Sequence, residues 1–401
     1  MSKIEHFSAW HAEVRQQSEQ HVLTATQSLL GNLTGTHHGF TNASELQTLP
    51  FPEGALVHRN WAYTTRRVDR SRAKSLLSGE LQIQVGDLVL ARIEVLGHHG
   101  NLQLIDGRRR RLFIGDLVVV AYGNRYACEQ FEAEVPASLS PCHLVAGGGV
   151  AARAISQHER ISRGPTSIEP LGLIADGQGK RLNLSDFSLS AVATEHPTPT
   201  VFAVLGTAMD AGKTETAAQF LRGLKATGRR TGYIKMTGTG AGGDNWLLHD
   251  AGADQVLDFT DAGLPSTYLA PLARIESAME LLISNMAAEG IGTIVMEVAD
   301  GLYQRETEQL ICSQTFARSV SGIVLAARDA MGATAGVHKL AQQSRPVLAL
   351  SGLLSASPLQ RREAKANTGI ESFNREELSS PAIAKWLLST VCTKETLEVA
   401  Q

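Results

Sequence analysis

Cysteine is scarce. Four residues (Cys128, Cys142, Cys312, Cys392) are spread over 401 positions with no CxxC pair. That excludes a disulfide scaffold and a zinc site of four thiolates, and it fits a reducing compartment. Aromatic residues make up only 5 % of the chain, so its cores must rest on aliphatic, alanine and glycine contacts. Charge of neither sign dominates: 37 Lys+Arg against 40 Asp+Glu leave a net charge of −3. The positive excess of a nucleic-acid binder is missing. No apolar run reaches the ~18 residues of a membrane span, and Met1–Gln20 is polar, unlike a secretory signal. A cytoplasmic protein with no membrane partner is expected. Its length exceeds what one core usually serves, so two domains are expected as well.

The texture of the chain changes at Thr194-Glu-His-Pro-Thr-Pro-Thr200, whose prolines favour an extended connector. We divide the chain into a helical or irregular segment at 1–79, a β-rich domain at 80–193, a linker at 194–200, an α/β domain at 201–390 and a tail at 391–401. Residues 1–30 read as helix. Val85-Gly-Asp-Leu-Val-Leu-Ala-Arg92 and Ile114-Gly-Asp-Leu-Val-Val-Val-Ala121 look like one unit used twice, a Gly-Asp turn feeding a β-branched strand. That pattern suggests a small barrel or sandwich. Beyond the linker, strands at Val201–Leu205, Thr231–Met236, Thr293–Val298, Gly322–Ala326 and Pro346–Leu350 alternate with helical patterns, notably Leu272–Ala288. Such alternation predicts a parallel sheet flanked by helices.

Between the first of those strands and a helix beginning at Thr214 lies Gly206-Thr-Ala-Met-Asp-Ala-Gly-Lys-Thr214. Consecutive backbone N–H groups there can curl around an anion at a helix N-terminus, the context of a phosphate-binding loop. The candidate binding residues are Gly206, Thr207, Ala208, Met209, Asp210, Ala211, Gly212, Lys213, Thr214 and Glu215. Lys213 would reach the terminal phosphates and the Thr214 hydroxyl a magnesium ion. Acids must then come from neighbouring strand ends. Glu297 lies inside the apolar run Thr293–Val298, where an unpaired carboxylate costs on the order of several kcal/mol, and it is our choice over Asp300. Lys235 ends the second strand and points at the same crevice. Asp244 reads equally as a helix cap or a metal ligand. With no Asn-Lys-x-Asp run for guanine, adenine is the default base.

Other features admit plainer readings. Arg108–Arg111, with Arg59, Arg66, Arg67, Arg70, Arg72 and Lys74, makes the first domain locally basic. A solvated hairpin after Asp106-Gly107 explains the run as well as a phosphate backbone or a large anionic substrate would, and nucleic acid is disfavoured. His37-His38 and His98-His99 are no ready chelates, since strand neighbours face opposite ways. Cys142-His143 lacks a second ligand at zinc-like spacing. Asp261–Tyr268 reads equally as a surface turn or as an acceptor pocket with Ser266, Thr267 and Tyr268 as donors. Arg305 and Glu306 are placed near a second substrate.

The loop residues resemble the dethiobiotin synthetase and cobyrinic acid a,c-diamide synthase group of P-loop proteins, whose loop also has five residues between the first Gly and Gly-Lys-Thr. Gly206, Thr207, Asp210 and Gly212-Lys-Thr214 match it, Ala208 departs from its usual Asp, and Val298 replaces the glycine after its strand-end Glu. The resemblance covers residues 200–355. It implies a P-loop NTPase domain behind the barrel- or sandwich-like one. It also implies ATP and Mg²⁺ as ligands, with Lys213 and Lys235 on phosphates, and Thr214, Asp244 and Glu297 serving the metal; homodimers are common in that group. A domain-of-unknown-function family associated with D-glutamate N-acetylation is similar in layout, which admits CoA in the loop instead. Filament- and membrane-associated ATPases carry a lysine after the first loop glycine, where this chain has Thr207. The expected activity is γ-phosphoryl transfer to the carboxylate or carbamate of a small acidic acceptor, with Lys213, Lys235 and Asp210 as catalytic residues. Alternatives are an acyl-CoA-dependent N-acyltransferase and a nucleotide-gated protein whose barrel grips a partner.

Overall fold

Gly86-Asp87 and Gly115-Asp116 open their strands by one device. Each glycine takes a left-handed φ (+90° and +87°), and each aspartate turns back to accept a backbone N–H three residues earlier. Asp87 Oδ2 accepts from Gln84 at 2.9 Å and Asp116 Oδ2 from Phe113 at 2.8 Å. A side chain that supplies the turn's hydrogen bond, beside a residue with no Cβ, lets a β-branched run start abruptly. The computed structural model describes residues 46–193 and 196–399. The helix expected over 1–30, the His37-His38 pair and Thr194-Glu195 of the connector lie outside them.

The strands of the first part are β1 (Gln47–Leu49), β2 (Ser75–Ser78), β3 (Leu88–Val95), β4 (Asn101–Gln103), β5 (Arg109–Arg111), β6 (Leu117–Tyr122), β7 (Arg125–Tyr126), β8 (Phe131–Glu134), β9 (Cys142–Ala146), β10 (Val150–Gln157) and β11 (Thr166–Ala175). Pairings β3–β6, β6–β10, β10–β9, β9–β11 and β11–β3 close a ring of strands, which leaves those strands no open edge. β1 and β2 extend it beside β11, and β8 and β7 beside β10. The irregular segment expected up to residue 79 therefore needs correcting: from Leu46 onward it belongs to the β layer, with Trp61 and Tyr63 buried in it. Strands of three and four residues carry too little alternation to be read, and β11, which pairs with β2, lies about ninety residues downstream of it.

In the second part β12 (Thr200–Gly206), β13 (Thr231–Lys235), β14 (Gln255–Asp258), β15 (Thr293–Glu297), β16 (Gly322–Ala326) and β17 (Val347–Ser351) form a parallel sheet in the order β14-β13-β15-β12-β16-β17. All of β12 beyond Thr200 is buried, as an unbroken apolar run between two helix layers must be. One face carries α1 (Lys213–Lys225), where Ala217, Phe220, Leu221 and Leu224 repeat at i, i+3, i+4, i+7 and are fully buried. The further helices are α2 (Gly243–Asp250), α3 (Leu272–Ala288), α4 (Arg305–Cys312), α5 (Gln314–Ser319), α6 (Ala330–Gln342), α7 (Pro358–Thr368), α8 (Arg375–Leu378) and α9 (Pro381–Val399). α9 corrects the tail expected from residue 391. Ala384, Leu387, Leu388 and Val391 pack on α1, and the helix they begin continues past that point.

From Leu46 onward the barrel and the α/β layers make one compact unit, and their seam positions the site. Tyr63 donates to Asp258 Oδ2 at 2.7 Å, Arg66 reaches Asp258 (3.1 Å) and Asp261 (2.5 Å), and the Gly242 N–H donates to Gln103 at 2.8 Å. The parallel sheet thus presents the C-terminal ends of β13 and β14 to the barrel.

Candidate functional site

β12 delivers Gly206 to the loop and α1 begins at Lys213, so residues 206–212 are held at both ends. Gly212 precedes the helix at φ +96°, and Asp210, exposed at the loop's crest, also takes a left-handed φ of +56°. The loop is pinned from outside. Thr207 N–H donates to Ala326 O at 3.0 Å and Leu353 N–H to Ala211 O at 3.1 Å. Gly352 makes the second contact feasible. It sits at φ +87°, and a Cβ there would lie 2.3 Å from Ala211 O. Gly352→Ala is expected to cost about 1–3 kcal/mol of stability, measurable by urea unfolding. An unchanged midpoint would show that the loop is not braced this way.

Lys213 is only 7 % exposed. Its ammonium spans the loop, donating to Ala208 O at 2.9 Å and Asp300 O at 2.5 Å. Burial pulls its pKa below the usual lysine value, although Glu297 and Asp300 oppose that shift. A cation held only by carbonyls is poised to exchange them for an anion. Beneath it the Thr214 hydroxyl donates to Glu297 Oε1 at 3.2 Å, and the hydroxyl of the buried Tyr233 donates to Oε2 at 2.8 Å. Burial raises the pKa of Glu297, Asp244 raises it further, and Lys235 and Lys213 pull it back only in part.

Lys235 is paired in register with Glu297 across β13 and β15 and forms an ion pair with Asp244. Burial would lower its pKa, but Asp244 and Glu297 raise it above the ordinary value. Asp244 lies in the first turn of α2, whose N-cap is Gly242. The cap reading is corrected, because the carboxylate faces Lys235 rather than its own helix. Lys213, Thr214, Lys235, Asp244 and Glu297 therefore meet at one end of the sheet, with Asp210 at the crest above. Glu215 instead faces α8, where Arg375 approaches it at 3.5 Å.

Asp300, set aside in favour of Glu297, also belongs to the site. Burial raises its pKa, while Lys213, Lys235 and Arg125 lower it. Tyr233 was legible only as part of an apolar strand, and nothing in the sequence marked Arg125. Among the described residues no three His, Cys, Asp or Glu side chains form a ready metal cage. Thr214 and Glu297 still fit a magnesium ion. They are adjacent hard oxygen donors, and such an ion keeps waters and takes phosphate oxygens for its remaining positions.

Other candidates are spent on architecture. Thr267 Oγ1 accepts from Gly238 N–H at 2.9 Å, Ser266 Oγ from Tyr268 N–H at 3.2 Å, and the Tyr268 hydroxyl donates to Glu132 at 3.0 Å. The first two bonds shape the loop within the α/β half, and the Tyr268–Glu132 bond ties that loop to the barrel. Buried Glu306 accepts from Leu269 N–H at 3.2 Å and from Arg305 at 2.8 Å. Arg110 is tied to Asp116 at 2.7 Å within the hairpin region. His99 bonds Arg125, so His98-His99 forms no chelate.

No known family profile matches the chain, and no curated protein matches it in sequence. Solved structures that align with part of it include chloroplast FtsY from Physcomitrella patens, at 14 % identity over 49 % of this chain and 69 % of that one, TM-score 0.34. The signal recognition particle receptor FtsY from Elizabethkingia anophelis in complex with GDP aligns at 14 % identity over 49 % of this chain and 67 % of that one, TM-score 0.31. The signal recognition particle 54 kDa protein from Aeropyrum pernix in complex with GDP aligns at 15 % identity over 50 % of each chain, TM-score 0.32. By its own strand order and loop geometry, the chain from Thr200 onward has a P-loop α/β fold.

Proposed function

We propose that the chain is an ATP- and magnesium-dependent enzyme that transfers the γ-phosphoryl group to the carboxylate or carbamate of a small acidic acceptor. One observation carries the reading: Lys213 spans the loop on two carbonyls directly above the Thr214–Glu297 contact, with the Lys235–Asp244 pair beside it. Two cations, a hydroxyl and a buried carboxylate at one helix N-terminus suit a nucleotide polyphosphate better than a free carboxylate or a sugar.

The loop N–H groups and the start of α1 hold the phosphates, and Lys213 leaves Ala208 O and Asp300 O to take the β- and γ-oxygens. Thr214 and Glu297 would hold magnesium, which when bound neutralises phosphate charge. Lys235, kept protonated by Asp244, orients the terminal phosphoryl group. The barrel side of the crevice positions the acceptor and excludes water. An acceptor carboxylate oxygen forms the new bond to the γ-phosphorus. The bond to the β-phosphate oxygen breaks, and ADP departs with the electron pair. An amine then attacks the acyl carbon and expels inorganic phosphate. Most of the catalysis is positioning and charge neutralisation. The resemblance to the dethiobiotin synthetase group supports the reading, as does the departure of Asp244 from the capping role.

The test is ADP release from ATP·Mg by the intact protein against a panel of small mono- and dicarboxylic acids and amino acids. At least one acid should raise turnover about 10-fold or more over the unstimulated rate. Stimulation by a protein or nucleic acid instead, with none by any acid, would overturn the reading in favour of a nucleotide-gated binding protein.

A further inference from the structure

Arg125 is a charged residue with no charged partner in contact among the described residues. It opens β7 in the barrel half and is only 7 % exposed. One guanidinium nitrogen lies 2.9 Å from His99 Nε2 and another donates to Gln130 Oε1 at 2.6 Å. Both partners are neutral: burial holds the His99 pKa down, to about 3. The remaining Nε–H is buried and has no partner among the described residues. A guanidinium so placed bears a desolvation penalty that neutral hydrogen bonds repay poorly, and native interiors seldom leave such a donor unpaired.

The surroundings give that cost a purpose. β7 and β8 form a hairpin whose flanks are fixed to the α/β half on two sides. Glu129 in its turn approaches Arg328, just beyond β16, at 3.7 Å, and Glu132 accepts from Tyr268 at 3.0 Å. Tyr126 also packs against the Tyr268 ring at 5.6 Å. The hairpin therefore spans from the strand end beside the P-loop to the loop before α3, and Arg125 opens its first strand. The charge that acts on it is Asp300, the residue whose carbonyl holds Lys213.

We propose that Arg125 is an anion receptor supplied by the barrel, which engages the terminal phosphoryl group of a nucleotide triphosphate in the P-loop. His99 and Gln130 are its positioning residues. They fix the planar fork while adding no charge, so the free Nε–H and the net positive charge stay available for an oxyanion. The inference rests on the nucleotide reading above and adds a role for the barrel, which closes the phosphate site as well as packing against it. A receptor of this kind distinguishes triphosphate from diphosphate, since only the former reaches it.

The experiment measures two affinities on the full chain by titration calorimetry, for ADP·Mg and for the non-hydrolysable ATP analogue with an imido-linked terminal phosphate. Arg125→Gln should weaken the analogue by about 10- to 100-fold and leave ADP within about twofold. Arg125→Lys keeps the charge, and so the fold should Gln fail, but loses the fork; a loss of about 3- to 10-fold for the analogue alone is expected. The exposed Arg153→Gln, on β10, serves as the control and should change neither value. Parallel loss of both ligands would overturn the proposal, because Arg125 would then only brace the hairpin. So would wild-type affinity for both. If the unaltered protein binds neither nucleotide, the reading under Proposed function fails and this inference with it; if it binds both and Arg125→Gln behaves as wild type, only this inference fails.

Discussion

Lys213→Ala is expected to weaken ATP·Mg binding by about 10²- to 10⁴-fold, since two hydrogen bonds from a charged donor are each worth about 1.5–3 kcal/mol. The same change should not destabilise the unliganded protein. Lys213 is buried, its hydrogen-bond partners among the described residues are the carbonyls of Ala208 and Asp300, and burial holds its pKa below the lysine value. A lysine whose folded pKa is depressed binds fewer protons folded than unfolded between those two values. Its charge therefore opposes folding at neutral pH, and stability rises as pH climbs through that window toward the unfolded value near ~10.4. Lys213→Met, which keeps the methylene volume and drops the charge, should raise the thermal midpoint. Calorimetric titration and thermal melts check the two halves separately. Retained affinity in Lys213→Ala would remove the loop from the binding site. A lowered melting point in Lys213→Met would show that the ammonium contributes net structure.

Asp258→Ala should lower the unfolding free energy by about 3–5 kcal/mol, the usual cost of removing one partner from a buried ion pair. Asp258 is 1 % exposed at the end of β14. It accepts from Tyr63 (2.7 Å), Arg66 (3.1 Å), Asn245 (3.0 Å) and the Thr260 N–H (2.7 Å). Burial by itself would raise its pKa, but Arg66 and the bonds from Thr260 and Tyr63 outweigh that and leave it below the ordinary value. The stabilisation it gives is then present above the unfolded value, about 3.9, and disappears as pH falls through the lower folded one. Because the network joins the barrel to the sheet, its loss should also loosen the crevice. Urea unfolding against pH measures both effects. A change under about 1 kcal/mol would mean that the halves are held elsewhere, the expectation for an exposed ion pair.

How much of this was legible follows from where the chemistry sits along the chain. Gly206–Thr214 was readable because a phosphate loop needs consecutive N–H groups, so its residues are contiguous. α3 was readable to the residue, Leu272–Ala288, because Ile275, Met279, Leu282 and Met286 mark one buried face over several turns. The paired Gly-Asp turns were readable because each is closed within four residues. Asp258, Arg66 and Tyr63 were not, since partners 192 and 195 residues apart leave no local pattern. Asp244 was ambiguous because a first-turn acid looks the same whether it caps its own helix or serves a metal, and its ion pair with Lys235 on the preceding strand leaves no local pattern. Arg125 carried no signal: its meaning lies in the absence, among the described residues, of a carboxylate in contact with it, which only the packed barrel reveals. The Asp261–Tyr268 loop read equally as a surface turn or an acceptor pocket, because the Tyr268–Glu132 contact that ties it to the barrel spans 136 residues and leaves no local pattern.

The most direct measurement is a parallel titration of the intact protein with ATP·Mg, GTP·Mg and acetyl-CoA, repeated on Lys213→Ala. Saturable binding of ATP·Mg that exceeds GTP·Mg, is lost with Lys213 and has no counterpart with acetyl-CoA is the predicted result. Saturable binding of acetyl-CoA, with no response to ATP·Mg, would contradict a crevice built for γ-phosphoryl transfer.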